Sequence, residues 1–158
     1  MNVVPEAAAA PETTVTYRPT GARIVAIVAG SALLAVGAAL WASLSAEVRA
    51  TFSWWQVVTL LLFLTASLSV LHGIARTRVR ADETGLEIVN GYRSHAVEWA
   101  QIVAIGLPRG APWAVIDTAD GSVIAAMALQ SSDGPRARAA VLALRRRVDA
   151  LGAPDPET

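Results

Sequence analysis

The residues best suited to chemistry in this chain are arginines. Arg76, Arg78 and Arg80 alternate along one short stretch, and Arg93 follows on the next. A guanidinium can hold a phosphate through two parallel hydrogen bonds. These four are therefore the candidate contacts for an anionic lipid headgroup or a phosphate. Arg145, Arg146 and Arg147 run consecutively near the end of the chain, and Arg109 stands close to Trp113 in a loop rich in turn residues. These five are the candidate contacts for a protein partner, with an aromatic anchor and cations to meet an acidic surface. The plainer alternatives are a solvated helix end for the arginine triplet and core packing for Trp113.

Other chemistry is scarce. The chain has no cysteine, which excludes disulfides, cysteine-ligated zinc and thiol catalysis. His72 and His95 have no acid pair at ligand spacing, so no metal site is expected. Asp117, Asp120 and Asp133 read as turn and cap residues, Asp133 as the N-cap of a final helix. No phosphate-binding loop, nucleophile elbow, zinc-protease motif or dinucleotide fingerprint occurs. We expect no catalytic residue, no cofactor and no enzymatic activity.

These groups must be positioned by elements of an apolar chain. Of its 158 residues, 54% are hydrophobic and 16% charged, which is rich for a soluble domain. Net charge is zero, which argues against a nucleic-acid binder. All thirteen basic residues are arginine, a bias we attribute to a GC-rich, bacterial genome rather than to function.

Two runs carry no charge, Ile24 to Ala46 and Ala50 to Ala75. About 20 apolar residues suffice to cross a bilayer as a helix, whose backbone satisfies its own polar groups. We expect transmembrane helices at about residues 24–46 and 51–75, joined by Glu47, Val48 and Arg49. The first run is too long for a signal peptide, and a second follows at once. Arg18 and Arg23 precede the first span and Arg76, Arg78 and Arg80 follow the second, whereas the connection holds Arg49 alone. The arginine bias puts both termini in the cytoplasm of a multi-pass plasma-membrane (inner-membrane) protein. Trp41, Trp54 and Trp55 then share the outer interface as anchors. Small residues in the first span (Ala26, Gly30, Ala35, Gly37, Ala39) suit packing on the second span or on another copy, so a homo-oligomer stays open. The spans hold no Asp, Glu or Arg for a proton relay; Ser67, Ser69 and His72 are the notable polar groups of the second.

Residues 1–22 and 152–158 lack periodicity and read as disordered tails. Between them, residues 77–151 form a second unit, with strands over about 78–131 and a helix over about 134–151. Asn90-Gly91 and Asp120-Gly121 are hairpin signals. For the first hairpin a three-residue loop, Val89-Asn90-Gly91, pairs Ile88 with Tyr92 and Leu86 with Ser94, turning Leu86, Ile88 and Tyr92 inward and setting Glu87 across from Arg93. Val141, Leu144, Val148 and Leu151 recur at helical spacing, with Pro135 in the first turn and Gly152 at the end. The expected class is α+β: a transmembrane helical hairpin, then a small β-barrel or sandwich with a C-terminal capping helix.

The runs "GLEIVNGYRSHAVEWAQIVAIGL" and "WAVIDTADGSVIAAMAL", followed by a helix led by Asp-Gly, resemble the bacterial pleckstrin-homology-like (PH-like) domain. In pattern they are similar to actinobacterial two-span membrane proteins with a cytoplasmic PH-like domain, of the low-molecular-weight protein antigen 6 type. The resemblance covers roughly Arg78 to Leu151 and implies two near-orthogonal sheets closed at one end by the helix. It also suggests that Trp99 packs in the core, and it implies no enzyme. The chain is thus read as a membrane-anchored PH-like binding or scaffolding module, recruiting a membrane or cytoplasmic protein. The alternatives are an anionic-lipid sensor, or an accessory subunit of a transport or cell-envelope complex.

Overall fold

The computed structural model describes residues 14–152. Its elements are β1 (Val15–Tyr17), α1 (Thr20–Ser43), α2 (Ala46–Thr51), α3 (Trp54–Arg76), β2 (Arg78–Ala81), β3 (Gly85–Asn90), β4 (Arg93–Glu98), β5 (Ile102–Gly106), β6 (Trp113–Thr118), β7 (Val123–Gln130) and α4 (Pro135–Leu151). Single 3-10 turns at Trp99–Gln101 and Ser131–Asp133 precede β5 and α4.

The charge-free runs are α1 and α3, and both are long and apolar enough to cross a membrane. Ala26 is the one buried residue of α1 and Gly73 that of α3, so neither is a core helix of the β-domain. They meet closely at Gly30, where an added Cβ would touch Leu68 and Leu71, and part towards Gly37, which has nothing within 4 Å. An apolar groove lined by Leu33, Gly37, Leu40, Leu61 and Leu64 opens there. The connection is longer than the three residues expected. Polar side chains offer the backbone a partner and break the apolar run at both ends. Ser45 accepts from the Val48 amide at 3.3 Å to start α2, and Gln56 Oε1 accepts from the Ser53 amide at 2.9 Å at the head of α3.

The strands bond into two antiparallel sheets, ordered β1-β2-β3-β4 and β5-β6-β7. The first sheet corrects the expected tail over residues 1–22. Val15, Thr16 and Tyr17 pair with Ala81, Arg80 and Val79. A three-residue β-branched and aromatic segment finds the free edge of β2, and Tyr17 packs against the core. The tail residues 1–13 and 153–158 lie outside the described residues. Because β1 precedes α1 and β2 follows α3, the helical hairpin is an insertion between two neighbouring strands of one sheet.

The register of the β3–β4 hairpin also differs from expectation. Asn90 pairs with Arg93, Val89 with Ser94, Ile88 with His95 and Leu86 with Val97. The loop is Gly91-Tyr92, with Gly91 at φ 62°, as a two-residue turn with glycine first requires. The expected register assumed one solvated face. Ile88 and Val89 point to opposite faces yet both are buried, so β3 is covered on both sides near its end. Tyr92 is turned outward rather than into the core, and Glu87 faces Arg80 and Ala96 rather than Arg93.

The core lies between the sheets and under α4: Val79, Leu86, Ile88, Trp99, Ile105, Ile116 and Leu144 are buried together. Trp99 belongs to it, its indole N–H donating to the Asp82 carbonyl at 3.0 Å. α4 is capped by Gly134 at φ 58° rather than by Asp133, which ends the preceding 3-10 turn. Pro135 takes the first turn, and the Gly152 amide closes the helix on the Val148 carbonyl at 2.7 Å.

Candidate functional site at the base of the module

The four arginines read as anion contacts sit where the helices enter the first sheet, but they do not converge. Arg78 and Arg80 project from one face of β2. Arg78 is held by Glu87 at 3.1 Å, the one ion pair among the described residues. Arg80 is exposed opposite Glu87. The Arg76 guanidinium lies 5.3 Å from the centroid of the Tyr92 ring. Arg93 is exposed at the start of β4. The result is a basic rim of separate cations rather than a phosphate pocket.

Beneath that rim lies a joint that the sequence reading missed. Gly73, on the last turns of α3, faces the β3–β4 turn so closely that a Cβ there would stand 3.2 Å from Tyr92 Cε2. The Tyr92 hydroxyl donates to the Ser69 carbonyl at 2.8 Å. The Gly91 amide donates to Thr77 Oγ1 at 3.2 Å, and that hydroxyl donates to the Gly73 carbonyl at 3.1 Å. Asn90, one residue earlier, reaches the other sheet. Its side-chain amide donates to the Ala125 carbonyl at 2.6 Å, and its Oδ1 accepts from the Met127 amide at 3.2 Å. The only sequence signal for this joint was Asn90-Gly91, which marks a turn and says nothing of its neighbours.

The candidate partner contacts are scattered. Arg109 is exposed in the β5–β6 loop and Trp113 is half-buried at the head of β6, opposite Gln130. Arg145 Nε donates to the Ile105 carbonyl and Arg147 Nη1 to the Ala81 carbonyl at 3.4 Å, so both tie α4 to the strands it covers. Arg146 is exposed. Trp41, Trp54 and Trp55 do gather at one end of the helical hairpin. Trp54 and Trp55 stack with ring centroids 3.6 Å apart, and Trp41 meets Phe52 edge-on at 5.5 Å.

On the side of the module bounded by the edge strand β4, a groove of about 690 Å³ runs between β4 and the β6–β7 turn, lined by His95, Gln101, Thr118, Asp120, Ser122 and Val123. Asp120 is a turn residue there, accepting from the Thr118 hydroxyl at 2.6 Å and the Ser122 amide at 3.0 Å. The Thr118 hydroxyl chiefly holds its carboxyl below the usual aspartate range, with the Ser122 amide adding to it. Asp82 is held low in the same way, first by the Thr84 hydroxyl and then by the Gly85 amide. Both carboxylates are saturated by their own turns, which suits structure better than proton transfer. Among the described residues no cluster of three His or acidic side chains could hold a metal.

Two small antiparallel sheets with a C-terminal helix agree with the mixed helix-and-sheet class expected from the sequence, and the sheets do not close into a barrel. Residues 76–147 match the family model described as bacterial PH domain. This segment is similar to bacterial PH domains. Uncharacterized proteins of Mycobacterium tuberculosis and Mycobacterium bovis are 38% identical to the chain over 71 residues, 45% of this chain and 46% of theirs. The match thus spans about half the length of these relatives. No solved structure gives a significant match. The PH match begins at Arg76 and so leaves out β1, the strand that completes the first sheet.

Proposed function

We propose that this chain is a membrane-anchored binding and scaffolding module with no catalytic activity of its own. In this reading α1 and α3 cross the plasma membrane as a hairpin and both ends of the chain lie in the cytoplasm. The PH domain then sits on the inner face and holds a protein partner there. The observation that carries the reading is the β1–β2 pairing. Chain before α1 and chain after α3 share one sheet, so they lie on one side of whatever α1 and α3 cross. The arginine bias makes that side the cytoplasm. Anchoring raises the module's effective concentration for other membrane-bound proteins. Strand β4 is an edge with unpaired backbone groups beside the 690 Å³ groove, a surface suited to an added extended segment.

Photo-crosslinking tests this with the full chain in native membranes. A crosslinker at Val123, exposed beside the groove, should give one defined protein adduct. Adducts arising from Leu62 in α3 but not from Val123 would contradict the reading and favour an accessory role for the helices.

A second reading, an anionic-lipid sensor, is favoured by Arg76, Arg80 and Arg93, none of which has a carboxylate within salt-bridge distance among the described residues. Each basic group near an anionic surface contributes about 1 kcal/mol. Replacing all three by alanine should then strip phosphatidylglycerol from the purified chain; unchanged lipid content would sink this reading.

A further inference from the structure

We propose that the β3–β4 turn is seated in the inner leaflet of the bilayer, with Tyr92 as a phospholipid-facing anchor. This rests on the reading of α3 as a membrane span. At 1.5 Å per residue, the 23 residues of α3 extend about 35 Å, little more than the roughly 30 Å hydrocarbon core. Ser69 lies about 10 Å short of Arg76 along the axis, on the bilayer side. A side chain bonded to the Ser69 carbonyl therefore lies below the headgroup boundary, and the side chain so bonded is Tyr92.

The chemistry of the turn fits that depth. Tyr92 is 61% exposed, so most of its ring meets what surrounds α3 rather than protein. A hydroxyl in hydrocarbon is costly without a partner, and this one has the Ser69 carbonyl. The Gly91 amide is satisfied too, through the Thr77 hydroxyl. Gly73 and Gly91 let the two backbones approach, the nearest Gly73 atoms standing 3.8–4.0 Å from a Cβ built on Gly91. Above the ring sits the Arg76 guanidinium, at 5.3 Å from its centroid, where a cation can meet both the π-face and a phosphate. His72 lies alongside at 6.1 Å. The exposed Arg93 can snorkel to the headgroups from the next position. An aromatic ring at the interface with its polar end satisfied is the arrangement membrane interfaces favour.

The chain has two tyrosines, so 3-fluorotyrosine in a Tyr17→Phe background gives a single fluorine signal, from Tyr92. The full chain in vesicles of phosphatidylcholine and phosphatidylglycerol is exposed to lipids bearing a nitroxide on the upper acyl chain, or to a water-soluble gadolinium chelate. The proposal predicts loss of the resonance to the nitroxide lipid and its survival in the chelate. Loss to the chelate overturns it, and so does survival in both, which would bury the ring in protein. A trifluoromethyl tag on Leu62→Cys, unique in a chain without cysteine, separates the two failures. If nitroxide lipids relax Leu62 but not Tyr92, only the anchor fails; if they relax neither, the membrane reading fails with it.

Discussion

The Asn90 side-chain amide donates to the Ala125 carbonyl at 2.6 Å, and through this contact the tip of the first sheet is bonded to the last strand of the second. With the Met127 amide on its Oδ1, Asn90 occupies both ends of its side chain. Replacing Asn90 by alanine leaves a half-buried carbonyl and a half-buried amide without partners. We expect a loss of about 1–3 kcal/mol in denaturant unfolding. An unchanged midpoint would mean that the contact is dispensable.

Tyr17→Ala should loosen the strand before α1. Tyr17 packs against the core, and its loss should cost about 1–3 kcal/mol. Hydrogen exchange is the sharper readout: amides of Val79 and Ala81, opposite Tyr17 and Val15, should exchange faster, while those of β6 stay protected. Uniform change across both sheets would contradict the pairing.

Gly85 opens β3 directly against β4. A Cβ there would run into the Val97 carbonyl, and the Glu98 Cα is 2.9 Å away, backbone atoms that cannot swing aside. Gly85→Ala should cost upwards of about 3 kcal/mol and reduce the yield of folded chain. A near-neutral Gly85→Ala would refute the close crossing.

Asp82 and Asp120 give the module an acid limb. Each carboxyl is held below its ordinary value of about 3.9 in the folded chain. A depressed carboxyl pKa contributes stability that is full above the unfolded value and is lost as pH falls through the folded one. Stability should therefore decline below about pH 4, and Asp82→Asn with Asp120→Asn should flatten that decline while leaving the neutral-pH slope unchanged. Thermal unfolding between pH 2.5 and 7 measures this, and an unaltered acid limb would speak against it.

Much of the architecture was legible because its signals are long or repeated. The uncharged runs gave α1 and α3, and Val141 and Leu144 marked the buried stripe of α4, whereas Val148 is half-buried and Leu151 exposed. Strand β1 was not legible: three residues flanked by prolines carry no period, and β1 exists only because β2 has a free edge. The β3–β4 register failed because β3 is buried on both faces, which removes the alternation that fixes a register. Arg145 and Arg147 look like a charged surface in sequence but bond to backbone carbonyls of Ile105 and Ala81, partners that only the fold brings near. Tyr92 reads as a core residue by spacing, and nothing in the sequence announces Ser69 and Gly73 beside it.

The central proposal is that α1 and α3 hold the PH-like module on the cytoplasmic face of a membrane. Because the chain lacks cysteine, single substitutions map this cleanly. Ala50→Cys lies in the connection between the helices and His95→Cys on exposed β4. Intact bacterial cells expressing each variant are treated with a membrane-impermeant maleimide, before and after permeabilisation. The account predicts labelling of Ala50→Cys in intact cells and of His95→Cys only after permeabilisation. Labelling of His95→Cys in intact cells, or of both positions only after permeabilisation, would contradict it.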